Sequence, residues 1–185
     1  MPDQAVAEIF ETLGPIDLEH LPAGNLLIDQ GIFTLAQALR LEETNVERVE
    51  LLIQAKALAE ERIRRAPQDA HAWMRLSQAE YFLNGPTGLV FEALDHSFVS
   101  APFEHDLAWP RLRLGILLWS FLDENSQSHT MHQSSILWRL HGQQVQVAAF
   151  YRNMPPDAQA SMRHLMDVEG EGMMFQRILA EQEAS

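Results

Sequence analysis

An Ala-Pro pair occurs twice in this 185-residue chain, at Ala66-Pro67 and again 35 residues later at Ala101-Pro102. Apolar residues recur at the same offset: Ala55 with Val90, Ala59 with Leu94, and Ile63 with Phe98. A period in the mid-thirties is typical of helical hairpins that bury their apolar faces only by stacking on one another. The recurrence therefore predicts stacked helical hairpins.

Helical periodicity extends along the rest of the chain. Apolar residues recur at a spacing near 3.6, and almost no segment alternates with period two, so we predict an all-α fold without a sheet. Gly14-Pro15 is predicted to end a first short helix over about residues 4–13, and a second helix is predicted over about 25–41. The hydrophobic content of 46% is typical of a globular chain.

The clearest helix boundaries lie in the middle of the chain. Thr44-Asn45-Val46-Glu47 matches a capping box, which predicts a helix that begins there and ends at Arg65. Asp69 is predicted to cap the following helix, and Pro86 to occupy the first position of the one after that. One apolar stripe is predicted to face the core from the helix that ends at Arg65: Val49, Leu52, Ile53, Ala55, Ala59 and Ile63.

A tryptophan-leucine pattern accompanies the repeat, since Trp73-x-x-Leu76 returns 36 residues later as Trp109-x-x-Leu112. With Ser77 at a small position, this pattern resembles the tetratricopeptide repeat. The resemblance covers one complete repeat over about residues 68–102, the second helix of a preceding repeat and the first helix of a following one. Two positions depart from the motif: Tyr81 falls one place late and Val90 replaces a usual alanine. The chain also looks like short, divergent tetratricopeptide-like proteins found in some proteobacteria.

This resemblance implies a short solenoid of antiparallel helical hairpins with a divergent helical cap. We divide the chain into an N-terminal helical arm (1–43), tetratricopeptide-like hairpins (44–125) and a C-terminal helical cap (126–185), which together form one continuous domain. The cap is predicted from helices after Pro155-Pro156 and Gly170-Glu171-Gly172.

The resemblance also implies a binding groove, because the first helix of such a repeat lines the concave surface. By position in the motif, the residues that would contact a partner are His71, Met74, Gln78 and Tyr81. Phe82 could join them, although packing between repeats explains it better. Arg75 belongs to a basic cluster with Arg62, Arg64 and Arg65 that could bind a partner's carboxylates. The alternative is that the last three stabilise the negative end of a helix dipole.

Other polar groupings are weaker candidates for chemistry. His129 and His132 could share a helix face, with His141 nearby, but their Ser- and Gln-rich surroundings favour a solvated helix start over a metal site. Asp95-His96 and Glu104-His105-Asp106 have no paired nucleophile, so surface charge explains them better than general-base catalysis. No phosphate-binding loop or nucleophile elbow occurs. We predict no catalytic residue, no metal site and no cofactor.

Charge and hydropathy exclude further classes. The net charge of −13 would repel nucleic acid and anionic membranes, and the chain has no cysteine for a thiol nucleophile. The most apolar stretch, 112–122, is too short to cross a bilayer and is predicted to be a buried helix. Residues 1–30 contain no Lys or Arg, so no secretory signal is predicted and a cytoplasmic location is expected, although a signal removed beforehand stays open.

The leading functional hypothesis is a non-enzymatic adaptor or assembly factor that binds a partner protein or peptide, with a basic partner favoured by the acidic surface. A second hypothesis is a helical enzyme or small-ligand-binding protein that uses His96, His105 and Asp106. A third is a structural subunit of a homo- or hetero-oligomer, with the tryptophans Trp109, Trp119 and Trp138 in its core or at its contacts.

Overall fold

The computed structural model describes residues 26–183, and the side chains from 30 to 182. This part of the chain contains nine α-helices, two short 3-10 helices and no strand, which confirms the all-α prediction. The first helix predicted from the sequence, over about 4–13, lies outside the described residues. None of the described helices is long and apolar enough to span a membrane.

The described residues divide into two compact units, 26–102 and 103–183. The division follows Pro102, whereas the sequence analysis placed its boundaries after residues 43 and 125. Residue 43 lies between two helices that pack against each other, and residue 125 lies within a helix, so both positions fall inside a unit.

Four helices form the unit 26–102: α1 (Leu26–Leu39), α2 (Val46–Arg65), α3 (Ala70–Asn84) and α4 (Gly88–Ser100). Each helix packs against the next along the chain, and α1 also packs against α3. The buried apolar residues where α1, α2 and α3 meet are Leu35, Ala38, Leu52, Ala55 and Ala79. A second small cluster joins α2, α3 and α4 through Ala59, Leu76 and Ala93.

The helix caps agree with the sequence in part. Asp69 caps α3 as predicted, since its carboxylate accepts hydrogen bonds from the backbone N–H groups of His71 and Ala72 at 3.1 Å. The predicted capping box is wrong in its first residue, because Asn45 rather than Thr44 caps α2. Its side-chain oxygen accepts from the Glu47 N–H at 2.9 Å.

The turn before α4 also differs from the prediction. Gly85 has a φ of 73°, in the left-handed region that glycine adopts without strain, and the chain then extends through Thr87. Because Thr87 takes the N-cap position and α4 begins at Gly88, Pro86 precedes the helix instead of occupying its first position.

The apolar stripe predicted on α2 is wrong for two of its six residues. Leu52, Ala55 and Ala59 are buried, whereas Val49 and Ile53 are exposed. At about 100° per residue, the six positions span a wider arc than one interface covers. Only the narrower set that faces α1 and α3 is buried.

Five helices form the unit 103–183: α5 (Ala108–Leu117), α6 (Glu124–Arg139), α7 (Gln144–Tyr151), α8 (Pro156–Val168) and α9 (Gly172–Glu183). The last two begin where the sequence predicted. The apolar stretch 112–122 is largely buried but is not one helix, since α5 ends at Leu117 and Trp119–Phe121 forms a 3-10 turn. Aromatic contacts hold the core, with Phe175 edge-on to Trp138 at 5.3 Å and to Tyr151 at 5.1 Å between ring centroids.

Helix α6 carries an unusual number of buried polar side chains. For the Ser- and Gln-rich segment predicted to be a solvated helix start, the structure exposes Glu124 and Asn125 but buries Ser126, Thr130 and Ser134. Their burial is tolerated because hydroxyl groups donate within the helix, Thr130 to the Ser126 carbonyl at 2.8 Å and Ser134 to the Met131 carbonyl at 2.5 Å. Small side chains also let α5 approach closely at Gly115.

Candidate functional site

Helix α3 is the most enclosed helix of the unit 26–102. Small residues on it allow close packing against α4, where two buried hydroxyls donate to carbonyls of the opposite helix. Ser77 Oγ on α3 donates to the Val90 carbonyl at 2.8 Å, and Ser97 Oγ on α4 donates to the Ala70 carbonyl at 3.0 Å. These two bonds fix the orientation of α3, and therefore of the face that it leaves uncovered.

Three of the five residues predicted to bind a partner are partly accessible on one side of α3. His71, Gln78 and Tyr81 are all half-buried, and their spacing of seven and then three residues places them within an arc of about 80° on the helix. They form what we call the α3 face.

The other two predicted partner-binding residues are placed differently. Met74 is 1% exposed and Arg75 is 6% exposed, so neither presents its side chain to solvent. Arg75 packs toward α1, where a Cβ placed on Gly31 would lie 3.5 Å from the Arg75 Cδ. Met74 was predicted from residue spacing and Arg75 from the basic cluster, and neither signal reveals burial, which depends on the neighbouring helices.

The remaining arginines of the predicted basic cluster interact with carboxylates of this chain. Arg62 Nε lies 2.7 Å from an Asp69 oxygen, and thereby connects the end of α2 with the cap of α3. Arg64 and Arg65 both pair with Glu61 on their own helix. These contacts orient the three guanidinium groups toward acidic side chains of the same chain.

Tyr81 gives the α3 face an aromatic surface with a neutral hydroxyl. Its ring contacts Phe82 edge-on, with centroids 5.4 Å apart, and the Arg48 guanidinium lies 5.8 Å from the Phe82 ring. Burial, together with the nearby Glu43 carboxylate, raises the pKa of Tyr81 above its usual value. The phenol is therefore protonated at neutral pH and can both donate and accept a hydrogen bond.

An ion pair that the sequence analysis missed joins α2 to α3. The buried Glu80 carboxylate accepts from Lys56 Nζ on α2 at 2.6 Å, from Asn84 Nδ2 at 3.0 Å and from Thr87 Oγ1 at 3.1 Å. The hydrogen bond from Lys56 is the main reason why the pKa of Glu80 is lowered, and it outweighs the opposing effect of burial. The sequence signal that could have indicated this ion pair is the position of Lys56 between Ala55 and Ala59, which are both buried.

The histidines considered for catalysis lie on exposed surfaces. His96 stacks on the Trp73 ring with centroids 4.3 Å apart, and the Trp73 indole donates to the Pro67 carbonyl at 2.7 Å. His105 and Asp106 are exposed in the 3-10 turn before α5. Within residues 30–182, no group of three or more His, Cys, Asp or Glu side chains is arranged to hold a metal ion.

The largest fully buried side chain among the described residues is Arg111 in the unit 103–183. Burial lowers the pKa of Arg111 to about 10, and the nearby Glu104 carboxylate partly opposes this effect. The guanidinium therefore stays charged at neutral pH. Because the Arg111 side chain is fully buried, it belongs to the interior of this unit and a partner could not contact it.

No protein-family model, no curated protein and no solved structure matches this chain. Its function is therefore inferred from the geometry and chemistry of its own residues.

Proposed function

We propose that this chain is a non-enzymatic adaptor that binds a partner protein through the α3 face. The observation that carries the proposal is the partial exposure of His71, Gln78 and Tyr81 on one side of a helix in which eight of the fifteen residues are buried. A rigid helix that presents a few accessible side chains is suited to binding, because little conformational freedom is lost when a partner docks.

The packing of the unit 26–102 supports a tetratricopeptide-like arrangement. In stacked hairpins the first helix of one repeat contacts both its own partner helix and the first helix of the next repeat. Helix α1 has these two neighbours, since it packs against α2 and α3. With α1 and α3 as consecutive first helices, the α3 face would belong to the concave side.

The chemistry of the α3 face suits a peptide segment. An aromatic ring with a hydroxyl, a carboxamide and an imidazole can form hydrogen bonds with a peptide backbone and cover apolar side chains. The net charge of −13 favours a basic partner, because complementary charge speeds encounter.

Site-specific photo-crosslinking tests this proposal. A photoreactive phenylalanine analogue would replace Gln78, and a control protein would carry the same analogue at Val99, which is exposed on α4. We expect a specific protein from a cell extract to be crosslinked at position 78 and not at position 99. Equal crosslinking at both positions would count against the α3 face.

The captured partner would then be purified and its affinity measured by isothermal titration calorimetry. We expect Tyr81→Ala to weaken binding at least tenfold, which is about 1.4 kcal/mol. Tyr81→Phe keeps the ring and removes only the hydroxyl, so its loss should be smaller. If Tyr81→Ala and Gln78→Ala both bind as tightly as the unchanged chain, the α3 face is not the binding site.

A further inference from the structure

Helix α2 presents a second surface, distinct from the α3 face. Val46, Val49 and Ile53 are 73%, 45% and 56% exposed, respectively. Their spacing of three and four residues places them within an arc of about 60° on the helix, so they form one apolar strip. We call these three residues the α2 strip.

The composition of the α2 strip is unfavourable for a surface that stays in water. All three side chains are β-branched, and such residues are poorer helix formers than the alternatives that a solvated helix usually carries. Isolated exposed apolar residues are ordinary, but a contiguous apolar strip rimmed by charged groups marks an interaction site.

The exposed charges around the α2 strip are mostly negative, with Arg40 in the turn before α2 as an exception. The carboxylates that surround it belong to Glu42 and Glu43 in the turn before α2, to Glu47 and Glu50 along its outer side, and to Glu60 beyond its C-terminal end. Two further basic residues occur in the same stretch, and both have partners within the chain. Arg48 Nη1 donates to the Leu41 carbonyl at 3.1 Å, and Lys56 pairs with the buried Glu80 at 2.6 Å.

From this juxtaposition we infer that the α2 strip binds a basic amphipathic helix of another protein. The occupant would place two or three apolar side chains at helical spacing over the strip, and its Lys or Arg residues would lie against the surrounding glutamates. The strip extends about 10 Å along α2, which corresponds to about two turns of a partner helix. A second copy of this chain fits less well, because its own glutamates would meet like charges.

A peptide display library tests this inference with the full chain as the target. The library would contain helix-forming 18-residue peptides with random charge and apolar positions. Selection against the unchanged protein would be paired with counter-selection against a Val49→Ala, Ile53→Ala variant. Alanine is the best helix former, so this variant removes apolar surface while it preserves α2, which circular dichroism would verify.

We expect the enriched peptides to carry an apolar face and a net positive charge. By fluorescence anisotropy, their affinity should fall at least tenfold with Val49→Ala, Ile53→Ala and at least threefold with Glu47→Gln, Glu50→Gln. Affinity should also fall as salt is raised. Gln78→Ala is the matched control for the α3 face and should leave peptide binding unchanged, so the failure of one proposal is distinguishable from failure of the other.

Three results would overturn the inference. The first is a selection that yields no peptide whose binding depends on Val49 and Ile53. The second is enrichment of acidic peptides or of peptides without an apolar face. The third is concentration-dependent dimerisation of the unchanged chain that is lost in the Val49→Ala, Ile53→Ala variant, since the occupant would then be a second copy.

Discussion

Ser77 and Ser97 occupy equivalent positions on two neighbouring helices. Ser77 donates to the carbonyl of Val90, which lies seven residues before Ser97. Ser97 in turn donates to the carbonyl of Ala70, which lies seven residues before Ser77. The two bonds are therefore related by approximate two-fold symmetry, and they join α3 and α4 where both serines are fully buried. Small side chains at these two points let the helices approach closely.

Substitutions at Ser77 separate the contribution of the hydrogen bond from that of the close approach. We expect Ser77→Ala to lower the free energy of unfolding by about 1 kcal/mol, because one buried hydrogen bond is lost. Ser77→Leu should cost several times more, since the larger side chain forces α3 and α4 apart. Urea denaturation followed by circular dichroism measures both values. Equal losses for the two variants would show that the crossing is not tightly packed.

The capping residue of α2 can be checked by a matched pair of variants. Asn45→Ala removes the side-chain oxygen that accepts from the Glu47 N–H, so we expect a loss of about 1 kcal/mol in the free energy of unfolding. Thr44→Ala serves as the control and should change stability by less than about 0.5 kcal/mol. A larger effect at Thr44 than at Asn45 in thermal or urea denaturation would favour the capping box predicted from the sequence.

Gly115 on α5 is predicted to tolerate no side chain. A Cβ at this position would clash with both Cγ2 and Oγ1 of the buried Thr130. We expect Gly115→Ala to destabilise the chain by about 1–3 kcal/mol, despite the better helix propensity of alanine. The double variant Gly115→Ala, Thr130→Ala should recover part of this loss, because it removes the two nearest of the clashing atoms and leaves only the Thr130 Cβ. Calorimetric melting temperatures of the three proteins would test the prediction, which fails if Gly115→Ala melts at or above the temperature of the unchanged chain.

The ion pair between Lys56 and Glu80 predicts a dependence of stability on pH. The pKa of Glu80 is lowered in the folded chain from an ordinary value of 4.5, so the folded state favours the carboxylate. The stability contributed by this ionisation is present above pH 4.5 and is lost as the pH falls through the lowered pKa of the folded state. We expect Lys56→Met to cost about 1–3 kcal/mol at pH 7, because it leaves a buried carboxylate with neutral donors only.

Urea denaturation of the unchanged chain and of Lys56→Met, at pH 7 and at about pH 3.5, would measure this effect. The difference in the free energy of unfolding between the two proteins should narrow at the lower pH. A difference that stays constant across this range would contradict the role given to Glu80.

Arg177→Met is a suitable control for the loss of a positive charge. Arg177 pairs with the exposed Glu181 on the same helix, at 3.7 Å. An exposed pair of this kind contributes little to stability, so the control should show a small loss that hardly changes with pH.

Local signals in the sequence predicted the parts of the fold that depend on neighbouring residues. Asp69 caps α3, and α2 ends at Arg65, because a capping carboxylate and an Ala-Pro pair act within one turn of the chain. The all-α class followed from periodicity, which is also a local property.

Burial was harder to predict, because it depends on which helices pack together. Val49 and Ile53 have the same apolar character as Leu52, yet only Leu52 faces a neighbouring helix. Polarity misled in the opposite direction on α6, where Thr130 is buried because its hydroxyl donates to a carbonyl one turn earlier. A side chain that satisfies its own hydrogen bond can be buried, and composition does not reveal this.

The candidate site shows the same division. Helical spacing placed His71, Gln78 and Tyr81 on one face of α3, and the structure leaves all three half-buried. The same spacing included Met74, which is fully enclosed. Spacing gives the direction of a side chain from the helix axis, whereas its accessibility depends on the surrounding helices.

Lys56 is the only lysine in the sequence, and its amine is bonded at 2.6 Å to a carboxylate inside the unit 26–102. An amine-directed reagent therefore has a single side-chain target in this chain, and the target must leave Glu80 before it can react. The rate of acylation at Lys56 would then report how often this ion pair opens, without any introduced label.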